Sequence, residues 1–138
     1  MKKVSLLLVL LLSSWAVSAQ VDKMLGRWVT VEKGVKESIV DIYRADNGLV
    51  YGRIMDLVDP ANAKAVCVKC GGEDAGKPIK GLLIIKDMHV DGNNLTGGKI
   101  LDPKRGKWFD CTIKLDGNNL SVRGSLGPFG ETKTWVRQ

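Results

Sequence analysis

The residues best suited to chemistry are three cysteines. Cys67-Val68-Lys69-Cys70 is a Cys-x-x-Cys pair, a spacing at which two thiols can close a disulfide, exchange electrons with another disulfide, or share a metal. Redox exchange needs a thiolate stabilised at a helix N-terminus inside a thioredoxin-like unit, and neither a βαβ pattern nor a helix surrounds this pair. Zinc is the minor alternative: by ligand type, Cys67, Cys70 and Cys111 could be completed by His89, the one histidine. The favoured reading is a structural disulfide between Cys67 and Cys70 that ties down a long loop continued by Gly71-Gly72. Cys111 then reads as a buried free thiol, and its pairing with Cys67 or Cys70 stays open as the competing arrangement.

Other constellations for catalysis are sparse. His89 stands just before Asp91-Gly92 and reads as an exposed imidazole, and neither a Gly-x-Ser-x-Gly elbow nor a metal-binding His pair occurs. Asp102 could serve as an acid or base, but Asp102-Pro103 followed by Gly106 is a routine turn. Asp41, Asp56 and Asp59 have no visible partner in sequence. An enzyme is therefore the less supported class, and no catalytic residue, metal or cofactor is assigned.

The compartment decides how the cysteines behave. Lys2 and Lys3 open the chain, residues 4–12 are apolar apart from Ser5, and Val17-Ser18-Ala19 carries the small residues accepted at a signal-peptidase site. The apolar stretch is interrupted by Ser13 and Ser14 and falls short of the roughly 20 residues needed to span a bilayer. A signal peptide over 1–19, cleaved after Ala19, is expected, with the product in the periplasm or outside the cell, where a Cys67–Cys70 disulfide would persist. Residues 20–138 then form one domain of 119 residues. Without Lys2 and Lys3 there are 19 basic residues against 15 acidic ones, a net charge of +4. Lys99, Lys104, Arg105 and Lys107 cluster around one turn, where a phosphate-bearing partner is conceivable, but a solvated hairpin tip is favoured. Aromatic residues do not alternate with these charges as on a single-strand nucleic-acid platform, so nucleic acid is not an expected partner.

Short runs rich in Val, Ile, Leu, Thr and aromatics alternate with Gly, Asn, Asp and Pro clusters along the rest of the chain. They predict about eight strands, at 27–32, 37–44, 49–57, 79–86, 95–101, 108–115, 120–126 and 132–137, in an up-and-down order. The segment 60–66 has the composition for a single helical turn. Period-two alternation puts Phe109, Cys111, Ile113 and Leu115 on one face and Trp108, Asp110, Thr112 and Lys114 on the other, and separates Leu120, Val122 and Leu126 from Ser121, Arg123 and Ser125. Asp91-Gly92-Asn93-Asn94-Leu95 recurs as Asp116-Gly117-Asn118-Asn119-Leu120, which reads as shared turn chemistry. An open meander leaves two unpaired edges; closing it removes both. The fold class is therefore all-β, a single antiparallel barrel of the lipocalin kind, whose interior either fills with side chains or holds one small ligand. Gly26-Arg27-Trp28 resembles the Gly-x-Trp pattern of lipocalin-type barrels, and in those families an arginine or lysine packs across that tryptophan and plugs one end, a role the resemblance implies for Arg137 at the far terminus.

Further residues carry a family resemblance: Tyr51-Gly52-Arg53-Ile54, Lys77-Pro78-Ile79-Lys80-Gly81-Leu82, Gly98-Lys99-Ile100-Leu101-Asp102-Pro103 with Gly106-Lys107, Val122-Arg123-Gly124, and Thr134-Trp135-Val136-Arg137. With Gly26-Arg27-Trp28 they make most of the chain resemble the bacterial exported proteins catalogued as domain of unknown function 2147. The resemblance implies a lipocalin-like barrel and no catalytic activity. A barrel that binds a small amphipathic or anionic ligand is the expected function. Tyr43, Tyr51, Arg53, Trp108 and Arg123, chosen by residue type, are the candidate ligand residues. The alternative is a protein-interaction or envelope-stress module working through its outer face or the Cys67–Cys70 loop.

Overall fold

The computed structural model describes residues 20–138, so the expected leader over 1–19 lies outside the described residues. Eight strands run in sequence: β1 (Gly26–Glu32), β2 (Val35–Arg44), β3 (Val50–Leu57), β4 (Leu83–Asp91), β5 (Asn94–Asp102), β6 (Lys107–Asp116), β7 (Asn119–Leu126) and β8 (Phe129–Arg137). Each is hydrogen-bonded to the next, and β8 returns to β1, so the sheet closes as an up-and-down antiparallel barrel. Alternation dictates what lies inside. β2 buries Ser38, Val40 and Ile42, β3 buries Val50, Gly52 and Ile54, β6 buries Cys111 and Ile113, and β7 buries Leu120 and Val122.

The recurring Asp-Gly-Asn-Asn sequences do make equivalent turns. Asp91 pairs with Asn94 and Asp116 with Asn119, each across two residues whose first is a glycine, at φ 59° and 60°. Strand boundaries move furthest in two places. β4 starts at Leu83, not at 79, because the Ile79 amide bonds to Ala65 within the long loop between β3 and β4, and Gly81, whose amide bonds to Ile54 of β3, takes φ 91°. It then continues past Lys86 to Asp91, absorbing an irregularity at Asp87, whose φ is 57°. β8 begins at Phe129, not at 132, because Gly127-Pro128 forms a two-residue turn that pairs Leu126 directly with Phe129. The helical composition at 60–66 yields one 3-10 turn, Pro60–Asn62, with the Asp59 carboxylate capping the Ala61 amide at 2.9 Å.

The two ends of the barrel differ. At one, the chain entering β1 packs Val21 and Met24 against Trp28, and these three are at most 1 % exposed. Trp28 Nε1 donates to the Met24 carbonyl at 2.9 Å, and the Arg137 guanidinium lies 3.9 Å from the indole centroid. That guanidinium also donates to the carbonyls of Leu25 at 2.7 Å and Lys23 at 2.5 Å, stitching the last strand to the segment ahead of the first. Toward the other end the β1–β8 seam parts: only Trp28 with Arg137 and Val29 with Val136 are in register, against seven pairs between β1 and β2. A bulge between Thr30 and Val31 bends β1 away, and the Lys133 ammonium bridges the widened seam to the Glu32 carboxylate.

That bridge makes the seam sensitive to acid. The hydrogen bond from Lys133 holds the Glu32 carboxyl below its ordinary value of 4.5. A depressed carboxylate stabilises the fold above its unfolded pKa and loses that contribution as pH falls through its folded value. Glu32→Gln is therefore expected to flatten the acid limb of the stability profile, followed by urea midpoints below pH 5, by less than about 1 kcal/mol for so solvent-accessible a pair.

Candidate ligand-binding cavity

Where the seam parts, the barrel interior opens. A cavity of about 890 Å³ lies at this end, bordered by the β1–β2, β5–β6 and β7–β8 turns and by the loop between β3 and β4. Its volume is in the upper part of the roughly 300–1,000 Å³ range of small-molecule sites. Ile54, Ile100, Phe109, Val122 and Trp135 give it an apolar lining. One polar point breaks that lining at the bulge of β1. The Thr30 and Ser38 hydroxyls are 2.7 Å apart, and the Ser38 amide donates to Thr30 Oγ1 at 3.1 Å. Gly124 leaves the wall thin, since a Cβ there would only reach ordinary contact with Ile100 and Phe109, at 3.5 and 3.6 Å.

The rim is charged and only partly self-neutralised. Lys104 Nζ lies 2.6 Å from Glu37, whose hydrogen bond raises the Lys104 pKa, and Arg105 Nε lies 3.5 Å from Asp102. Lys99 is likewise matched by Asp110 at 2.5 Å, so three of the four cations clustered around this turn face carboxylates. Asp102 serves the turn itself, accepting from the Lys104 amide at 3.0 Å. Asp56 meets Lys80 at 3.7 Å.

One side of the rim is the disulfide loop. Cys67 and Cys70 are joined and buried, at 1 % and 6 % exposure; Cys111 is a buried free thiol. Burial pushes the Cys111 thiol up to about 12, so it stays protonated and unreactive at neutral pH. The loop is pinned internally by Cys67 N donating to Lys77 O at 2.8 Å and Gly76 N to Cys67 O at 3.0 Å. It rests on the β5–β6 turn, where Cys67 Sγ sits 3.6 Å from the Pro103 carbonyl oxygen. Gly106, at φ 66°, lies so close beneath the Lys69 carbonyl that any Cβ would collide with it. The double substitution Cys67→Ser with Cys70→Ser is expected to cost roughly 2 kcal/mol, the low end for disulfides because the closed loop is short. Hydrogen exchange should localise the loosening to residues 58–82.

The five residues chosen by type, Tyr43, Tyr51, Arg53, Trp108 and Arg123, do not border this cavity. Tyr43 and Tyr51 stack on each other across β2 and β3 with centroids 6.1 Å apart, and the Tyr51 hydroxyl donates to Asp87 at 3.0 Å. Arg53 donates to the Gly81 carbonyl at 3.1 Å, Lys86 caps the half-buried Trp108 ring at 4.1 Å, and Arg123 reaches Thr132 at 3.4 Å. Apart from the tyrosine pair they do not converge. His89 is exposed on β4 opposite Thr96. The lining residues sit on the opposite phase of the same strands. The alternation that marked Phe109 and Val122 as inward is the signal that identifies them.

A closed eight-stranded barrel, sealed at one end by a tryptophan–arginine pair and hollow at the other, is a lipocalin-like architecture. A solved structure shares it: the Helicobacter pylori protein HP1028, described as belonging to the lipocalin family, superimposes with a TM-score of 0.71 at 24 % identity, over 83 % of this chain and 82 % of that one. Residues 26–137 match the family model described as "Uncharacterized protein conserved in bacteria (DUF2147)", and the chain belongs to that family. A search among curated proteins finds no match.

Proposed function

We propose that this protein is an exported binder of one small amphipathic molecule. The observation that carries the reading is the cavity of about 890 Å³ with an apolar lining, one internal hydroxyl pair and a charged rim. An apolar chain or ring system would lie against Ile54, Ile100, Phe109, Val122 and Trp135, while its polar end stays near Thr30 and Ser38 or at the rim. An amphipathic ligand fits better than a purely anionic one, because the interior is apolar and three of the rim cations, Lys104, Arg105 and Lys133, are already matched by Glu37, Asp102 and Glu32. Export rests on the charged start, apolar run and Val17-Ser18-Ala19 site of the leader, and it agrees with a closed Cys67–Cys70 bridge.

The test is to express the whole chain in a bacterial host, recover it without denaturation, and weigh it in native mass spectrometry. The expected species starts at Gln20, is found in the envelope fraction, and carries extra mass that organic solvent extracts as an amphiphile. A chain retaining residues 1–19 in the cytoplasm contradicts the export half. A bare chain that also fails to take up added amphiphiles contradicts the binding half.

A further inference from the structure

The exposed apolar side chains of the barrel gather around its open end. Of eight large hydrophobic residues exposed among the described residues, five border the cavity mouth: Val35, Val66, Val68, Leu126 and Phe129. The most prominent are Val68 at 83 % exposure, Phe129 at 79 %, Val35 at 63 % and Leu126 at 55 %. They come from three separate segments, the β1–β2 hairpin, the disulfide loop and the β7–β8 hairpin. Single exposed hydrophobes scattered over a surface need no explanation, but a collar around one opening does.

The charges beside them have a sign. Lys33 and Lys36 flank Val35, and Lys69 follows Val68; all three are exposed and make no ion pair among the described residues. The rim carboxylates Glu32, Glu37 and Asp102 are held by Lys133, Lys104 and Arg105, and Asp59 caps a backbone amide, which leaves Glu131 at the cavity and Glu73 farther along the disulfide loop as exposed carboxylates with neither kind of partner. Unmatched charge at this end is therefore predominantly positive and sits next to the apolar tips. A folded protein partner, or a second copy of this chain, would have to seal against three prongs separated by an open cavity mouth. A bilayer interface is fluid: it accepts separate apolar tips between headgroups and offers phosphate to the lysines beside them.

We propose that the open end of the barrel docks on an anionic lipid surface, with Val35, Val68, Leu126 and Phe129 entering the headgroup layer, Lys33, Lys36 and Lys69 meeting phosphate, and the cavity mouth facing the membrane. Docking places the cavity where an amphipathic ligand could pass between bilayer and barrel without crossing water. The contact itself needs only the rim, so it goes beyond the binding reading and stands or falls separately from it.

The experiment uses residues 20–138, which hold every strand of the closed barrel, and sedimentation with vesicles of phosphatidylcholine alone or mixed in equal parts with phosphatidylglycerol. The chain is expected to pellet with the mixed vesicles and to bind several-fold more weakly to phosphatidylcholine alone or at raised salt. Val68→Ser combined with Phe129→Ser is expected to weaken binding on the order of tenfold, and Lys33→Gln, Lys36→Gln and Lys69→Gln together by about tenfold or more on mixed vesicles. Lys114→Gln, on the barrel wall, is the control expected to pellet as the unsubstituted chain does. Thermal midpoints confirm that each variant is folded. A chain that stays in the supernatant with both vesicle types overturns the proposal, as does a Val68→Ser, Phe129→Ser variant that pellets undiminished. Amphiphile uptake in the absence of vesicles is scored separately and reports only on the cavity.

Discussion

Replacing Trp28 with alanine is expected to remove about 3–5 kcal/mol of stability, the usual cost of emptying a buried tryptophan site. Little could flow in to fill the space, because Trp28 is 1 % exposed and wedged among Val21, Met24 and the first and last strands. The substitution also frees the Met24 carbonyl that Nε1 holds and strips the Arg137 guanidinium of its ring. Since the β1–β8 seam is in register at two residue pairs alone, Trp28 with Arg137 and Val29 with Val136, the damage falls where closure is thinnest. Against a typical total of about 5–15 kcal/mol this should leave a barrel that melts early or opens at the seam. Urea denaturation measures it; a loss below about 1 kcal/mol would mean that the tryptophan is not the closure its position indicates. Arg137→Ala should cost less, because it empties no core site and gives up only exposed interactions: the hydrogen bonds to Leu25 and Lys23 and a cation–π contact worth about 0.5–1 kcal/mol.

Closure was legible in the sequence because it depends on local patterns that survive folding unchanged. Gly26-Arg27-Trp28 and Arg137 lie at the two termini, and strand alternation leaves only one way to pair them without exposed edges. Hairpin turns were equally readable, since Asp91-Gly92 and Asp116-Gly117 specify their own geometry. The start of β4 was misplaced because Lys77-Pro78-Ile79-Lys80 has strand composition, while its backbone bonds go to the loop partner Ala65 and its neighbour Gly81 leaves the β region.

The cavity was harder to read for a physical reason. Selecting aromatic and charged strand residues favours the solvent phase of each strand, which is why Tyr43, Tyr51, Arg53, Trp108 and Arg123 all fell outside the lining. A ligand site in a barrel is made from the inward phase, and Ile54, Ile100, Phe109 and Val122 look like ordinary core in a sequence. What separates lining from packing is how far apart the walls stand. That depends on the splayed seam after Val29 and Val136 and on the loop seated over Gly106, both products of contacts between residues distant in sequence.

Gly124 offers the sharpest way to test that space. Its backbone is not in the left-handed region, and a Cβ meets nothing closer than 3.5 Å, so a larger side chain is tolerated locally and extends into the cavity. Gly124→Leu should hold or slightly raise stability, because glycine in a strand is entropically costly, while its side chain takes the place of ligand. The decisive measurement is a titration of the unsubstituted chain and of Gly124→Leu with a dansylated fatty acid, read by energy transfer from the barrel tryptophans. The unsubstituted chain is expected to saturate at one probe per barrel, with affinity falling on the order of tenfold or more in Gly124→Leu, about 1.4 kcal/mol per tenfold step. Titration without saturation, or equal affinity in a folded Gly124→Leu, would contradict a ligand-binding cavity.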